Sequence, residues 1–79
     1  MPMQIPLTDM AAGETGTVVE IAGGRGAVDR LRALGIRPGI AVTKVSKHFA
    51  GGPVVVQVGG TQAAVGHGIS RKIIVDVNR

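Results

Sequence analysis

Only one segment of this 79-residue chain has the spacing of apolar residues that an α-helix requires, and β-type sequence lies on both sides of it. Ala27, Leu31 and Leu34 stand at positions i, i+4 and i+7, so they share one face of a helix. Gly35 can adopt the left-handed conformation that ends a helix. The pattern therefore predicts one short α-helix, at about residues 26–35, with both leucines in the core.

The rest of the chain has the pattern of short strands, because runs of β-branched residues alternate with glycine-containing turns. The Gly59-Gly60 pair predicts a two-residue hairpin in which Val56 pairs with Ala63 and Val54 with Val65, all on the core face. We expect five strands in all, at about residues 17–22, 41–47, 54–58, 61–65 and 72–77. Five short strands and one helix predict a mainly β fold, in the form of a small, strongly bent barrel.

Two strands carry more detailed expectations. In the strand at 17–22, alternation places Val19 and Ile21 toward the core and Glu20 toward solvent. In the strand at 41–47 the two valines are three residues apart, which breaks the alternation and indicates a β-bulge. The residues before position 13 have the pattern of a short apolar segment followed by one turn, and they predict no strand.

Composition limits the class of protein. Nine Lys and Arg against five Asp and Glu give a net charge of +4, and the basic residues are scattered. This excess favours an acidic protein surface, anionic lipid or nucleic acid, without choosing among them. There is no cysteine, no signal-peptide pattern and no apolar run near the roughly 18 residues that span a bilayer. The sequence predicts a single cytoplasmic domain over residues 1–79.

The sequence predicts no catalytic residues and no cofactor, because its serines, histidines and acids form no pair or triad of useful spacing. His48 and His67 are the weak metal-ligand candidates, with Glu14 and Asp76 beside them. A metal site needs three or four ligands that converge, whereas the two histidines fall in different turns. We expect ordinary solvated histidines and no metal site. Nucleic-acid binding is not expected either, since Phe49 is the one aromatic residue available for stacking on bases.

Four blocks, in the same order along the chain, resemble the FeoA family. They are Pro6-Leu7-Thr8-Asp9-Met10 followed by Gly13, the block Arg30-Leu31-Arg32-Ala33-Leu34-Gly35-Ile36-Arg37-Pro38-Gly39, Gly52-Pro53 with the Gly59-Gly60 turn, and Ala64-Val65-Gly66 through Ile73-Ile74-Val75. The resemblance covers nearly the whole chain. It implies an SH3-like barrel and a small cytoplasmic accessory protein of ferrous iron transport. It also implies that the partner is the membrane GTPase-permease FeoB, which would hold the protein at the inner face of the plasma membrane.

Binding through a surface, without a reactive centre, is therefore the expected activity, and self-association remains open. The candidate contact residues are the basic rim of the helix, the outer face of the hairpin and the lone aromatic residue: Arg30, Arg32, Arg37, Val55, Ala64 and Phe49. An adaptor of this kind would act by a population shift, in which it binds one state of its partner better than another. The alternative from another class is a transition-metal-binding or metal-sensing domain, and a less favoured one is a nucleic-acid-binding barrel.

Overall fold

In the computed structural model, residues 1–46 and 52–79 are described, and their strands form a single antiparallel sheet in the order β1-β6-β2-β3-β4-β5. The elements are β1 (Pro2–Pro6), a 3-10 turn (Leu7–Asp9), β2 (Thr15–Ile21), α1 (Arg25–Ala33), β3 (Ala41–Ser46), β4 (Val54–Val58), β5 (Thr61–Val65), α2 (His67–Ser70) and β6 (Ile73–Asn78). The mainly β class is confirmed. The described residues contain six strands where the sequence predicted five.

The additional strand is β1, which the sequence analysis treated as an apolar segment without regular structure. Prolines stand at both of its ends, Pro2 and Pro6. Proline is tolerated on an edge strand, because its missing N–H then faces away from the ladder. β1 pairs with β6 at the edge of the sheet, with Ile5 opposite Val75, and both side chains are buried.

The core is one aliphatic cluster to which every strand contributes. Because buried residues come from both ends of the strand order, Ile5 on β1 and Val65 on β5, the sheet curves around a single interior. The other buried side chains are Leu7, Met10, Val18, Leu31, Ile36, Val42, Val54, Val56, Ile73, Val75 and Val77. The core of this small domain is thus built almost entirely from β-branched residues and leucine, which fit a pleated surface.

Helix α1 lies close to its predicted position and ends in a Schellman motif. Gly35 has a φ of +88°, its N–H donates to Arg32 O, and the N–H of Ile36 donates to Leu31 O, both at 2.9 Å. This pair of hydrogen bonds closes a helix through a left-handed glycine, and it brings the residue after the glycine against the last turn. Ile36 and Leu31 are accordingly both buried.

The prediction that Leu34 belongs to the core is wrong, although the same prediction for Leu31 is confirmed. Leu31 is 2% exposed and Leu34 is 44% exposed. The helix ends at Ala33, so Leu34 occupies the C-cap position. The chain then turns through Gly35, and Ile36 fills the core position that the helical period had assigned to the leucine.

The strand registers confirm the hairpin and correct β2. β4 and β5 pair as predicted, including Val56 with Ala63. The register of β3 against β4 shifts after Lys44, which confirms the predicted bulge. A second irregularity follows Val18 in β2, so Val18 is buried while Val19 is 39% exposed. The inward prediction for Val19 is therefore wrong, because an extra residue reverses the alternation.

A buried lysine and an ion pair hold the segment before β2. Lys44 is 3% exposed, and its Nζ donates to Thr8 O at 3.1 Å and Met10 O at 2.8 Å. Glu14 accepts hydrogen bonds from the Arg79 guanidinium at 2.8 and 2.9 Å. These bonds from Arg79 lower the pKa of Glu14 from 4.5 to about 2. The sequence shows Lys44 only as one of the scattered basic residues, and no pattern in it predicted the burial of this side chain.

Candidate docking groove

An open groove of about 510 Å³ lies between the end of α1 and the β4–β5 hairpin. Its floor is mainly apolar, and polar groups stand at its rim. We call it the hairpin groove and define it by six of its lining residues: Leu34, Ile40, Val58, Ala63, Arg37 and Gln62. Concave surfaces with an apolar lining and a few placed polar groups are typical of binding sites.

The wall formed by residues 34–40 is fixed by backbone hydrogen bonds to β2. The N–H of Gly39 donates to Val18 O at 2.8 Å, and the N–H of Val18 donates to Ile40 O at 2.9 Å. Within the wall, the N–H of Ile40 donates to Arg37 O at 3.2 Å. The loop is therefore an extension of the sheet, and it presents Leu34 and Arg37 from a rigid support.

The groove is electrostatically simple. Among the described residues that line it, Arg37 alone carries a charge, and its side chain is exposed. Leu34, which the helix cap leaves exposed, is the most exposed of the large apolar side chains that line the groove. An apolar surface with one arginine at its rim suits a partner that offers apolar side chains and a carboxylate.

The structure brings only part of the predicted contact set to this groove. Arg37 lines it, whereas Arg30 and Arg32 are exposed on α1 and are absent from its lining. Val55 and Ala64 pair across the hairpin on the face away from the core, where Val55 is half-buried and Ala64 is exposed. The remaining candidates, Phe49 and His48, lie outside the described residues.

Leu34 is the groove residue that the sequence pattern wrongly assigned to the core. The signal that could have found it is the glycine that follows. A left-handed glycine at the end of a helix commonly brings the next residue onto the last turn, so that residue and not the C-cap becomes buried. The pair Leu34-Gly35 followed by Ile36 has this form.

A second, smaller groove of about 400 Å³ lies between α1 and α2. Ala27, Ile69, Arg71 and Lys72 are among its lining residues. It is more basic than the hairpin groove and shares no lining residue with it. Its exposed arginine therefore offers a charge-matched control for substitutions at Arg37.

The predicted metal-ligand candidates do not gather in the part of the chain that the structure describes. There, no group of three or more His, Cys, Asp or Glu side chains is placed to hold a metal ion. His67 begins α2, Asp76 lies on β6, and Glu14 is bonded to Arg79. Over residues 1–46 and 52–79, no helix has the length and hydropathy needed to cross a membrane.

The strand order, the single core and the capped helix define a small β domain of the SH3-like class, to which FeoA structures also belong. Residues 5–77 match the FeoA domain, and the chain belongs to the FeoA family, whose proteins take part in ferrous iron transport. A Methanocaldococcus jannaschii protein, provisionally described as Fe(2+) transport protein A, is 34% identical over 71 residues. These residues cover 90% of this chain and 84% of the relative.

Solved structures agree with this assignment. The crystal structure of an iron uptake regulatory protein, FeoA, is 34% identical, with a TM-score of 0.87 over 95% of this chain and 100% of that chain. A manganese-dependent transcriptional repressor also has a TM-score of 0.87 over 99% of this chain. There the similarity covers 44% of the longer repressor at 19% identity, so it concerns the fold alone.

Proposed function

We propose that the protein is an accessory protein of ferrous iron uptake, which binds the cytoplasmic part of the membrane permease FeoB through the hairpin groove. It would work in the cytoplasm and reach the inner face of the membrane only through this partner. The observation that carries the proposal is the exposed Leu34 beside Arg37 on a rigid, apolar groove. Family membership supplies the transport process.

The groove is suited to binding for two physical reasons. Covering the exposed part of Leu34 and the apolar floor removes hydrocarbon from water, at about 25 cal/mol per Å². The wall is already held by its hydrogen bonds to β2, so little conformational entropy is lost on association. A carboxylate of the partner that reaches Arg37 adds orientation to this apolar contact.

The protein would modulate the permease without making or breaking a bond. An adaptor changes its partner only if it binds one conformational state more tightly than another. A tenfold preference corresponds to about 1.4 kcal/mol of differential binding. A few contacts of the hairpin groove that form in only one nucleotide or gating state would be enough.

The test is calorimetric titration of the full chain into the purified cytoplasmic part of the permease. We expect Leu34→Ser and Arg37→Glu each to weaken binding by about tenfold, since each removes about 1.4 kcal/mol of contact energy. Arg71→Glu makes the same change in net charge in the other groove, and it should leave the affinity nearly unchanged. Far-ultraviolet circular dichroism confirms that each variant is folded.

Two results would contradict the proposal. A folded wild-type chain without affinity for the permease removes the function itself. Equal weakening by Arg71→Glu and Arg37→Glu would indicate a response to overall charge, with no special role for the hairpin groove.

A further inference from the structure

The two edges of the sheet differ in how well they are protected from pairing. β1 and β5 stand at the two ends of the strand order among the described strands. β1 carries Pro2 and Pro6, and a proline on an edge strand removes a donor that would face outward. β5 has the sequence Thr-Gln-Ala-Ala-Val, without proline or charge. It therefore lacks the proline and the charged side chains that protect many edge strands.

The hairpin register identifies the backbone groups at this open edge. A two-residue turn, in which Gly59 has a φ of +60°, closes on the pair Val58–Thr61. Such a closing pair exchanges both of its hydrogen bonds, and the exchange then alternates along an antiparallel ladder. The residues of β5 that alternate with these hydrogen-bonded pairs are Gln62 and Ala64. They consequently direct their N–H and C=O groups away from β4.

The open edge and the hairpin groove adjoin each other. Gln62 and Ala63 line the groove, with Leu34 on the opposite wall. A strand added beside β5 would lie about 4.8 Å from it, and every second side chain would point to the face that Ala63 occupies. Those alternate side chains would therefore enter the groove.

We propose that a partner docks by adding a strand to β5, as an extended segment whose alternate apolar side chains fill the hairpin groove and whose carboxylate reaches Arg37. This inference rests on the proposed function, and it specifies how the permease is bound. Charge favours an acidic segment over a second copy of this chain, because each copy carries a net charge of +4 and the groove has an arginine at its rim. Strand addition is a general mode of peptide recognition, in which backbone hydrogen bonds provide affinity and side-chain pockets provide specificity.

The decisive measurement is residue-resolved amide hydrogen exchange of the full chain, with and without the cytoplasmic part of the permease. We expect the amides of Gln62 and Ala64 to exchange rapidly in the free protein and to slow by at least about tenfold in the complex. The amide of Ala63 is the internal control, because it already donates to β4 and should be protected in both states.

The outcomes of this experiment distinguish failure of strand addition from failure of the proposed function. Binding without new protection at Gln62 and Ala64 overturns strand addition and leaves the proposed function standing. If the protein does not bind the permease at all, both proposals are overturned. Protection that appears with rising protein concentration in the absence of the permease would identify a second copy as the occupant, and would also overturn the inference.

A matched pair of variants gives a second measurement. Ala64→Pro removes the outward donor without removing a bond of the β4–β5 ladder, whereas Ala64→Val keeps the donor and is well suited to a strand. We expect the proline variant to bind the permease about tenfold more weakly and the valine variant to bind as the wild type does. Equal affinities of two folded variants overturn the inference, and if the proline variant does not fold, the exchange measurement on the wild type decides.

Discussion

The buried Lys44 offers the most direct test of how this small domain is held together. Its side chain reaches from β3 to two carbonyl oxygens at the 3-10 turn, that of Thr8 within the turn and that of Met10 at its C-terminal end. Lys44→Met keeps an unbranched apolar side chain of similar length and removes the ammonium group. We therefore expect the variant to fold and to lose the side-chain bonds from β3 to this turn, while the backbone bonds of residue 44 to Gly13 and Glu14 remain.

The expected magnitude follows from two contributions that destabilise the variant and one that stabilises it. Hydrogen bonds from a charged donor contribute about 1.5–3 kcal/mol each, and at least two are lost. The carbonyl oxygens that lose this donor add a desolvation cost of about 1–3 kcal/mol where water cannot reach them. Burying the ammonium costs several kcal/mol, which methionine avoids. We expect the free energy of unfolding to fall by about 2–4 kcal/mol, with a decrease in Tm of at least about 8 °C for a domain of this size.

Urea denaturation, followed by circular dichroism, measures this difference directly. Lys72→Met is the control, because Lys72 is exposed and a surface substitution of this kind changes stability by less than about 0.5 kcal/mol. The reasoning is refuted if Lys44→Met is as stable as the wild type or more stable. That result would mean that desolvation of the ammonium outweighs its hydrogen bonds.

Three further sets of substitutions test other parts of the fold. Leu31→Ala should lower the free energy of unfolding by about 2–5 kcal/mol, whereas Leu34→Ala, which opens no cavity, should cost less than about 1 kcal/mol; similar losses in thermal denaturation would contradict the burial difference. The depressed pKa of Glu14, about 2, means that its contribution to stability is complete above about pH 4.5 and is lost as the pH falls toward 2. Glu14→Gln should therefore flatten the stability curve in acid, and an unchanged slope would refute the assigned ion pair. Gly16→Ala should destabilise by about 1–3 kcal/mol, because the added Cβ would lie 2.9 Å from a side-chain carbon of β6. Gly26→Ala lies inside α1 and meets nothing within 4 Å, and it should not destabilise the protein in the same urea titration, because alanine favours a helix more than glycine does.

Elements whose geometry is set locally were predictable from the sequence. The hairpin register follows from Gly59-Gly60 because a two-residue turn leaves a single pairing that places all valines of the inner face together. The helix position follows from its apolar period and from Gly35. β1 was not predictable in this way, because its prolines contradict strand propensity, and only its position at the edge of the assembled sheet makes them acceptable.

The hairpin groove could be predicted only in part. Arg37 stood out as a charged residue next to the helix end, but the apolar lining comes from residues far apart in sequence, Leu34 and Val58 among them. The residue pattern within a single segment does not predict that Leu34 and Val58 lie close together in the fold. The burial of Lys44 has the same origin, since its acceptors belong to a segment more than thirty residues earlier in the chain.

One short block links stability to the proposed function. The left-handed turn at Gly35 closes α1 and brings Ile36 into the core, and the same turn leaves Leu34 exposed and Arg37 at the rim. The left-handed conformation of Gly35, which would strain a residue with a side chain, is thus needed both for the fold and for the groove. Because the helix cap supports the groove, perturbations of the cap should change both properties, whereas substitutions of Leu34 or Arg37 should change binding with little effect on stability. This asymmetry distinguishes a groove built by the helix cap from an accidental hollow on the surface.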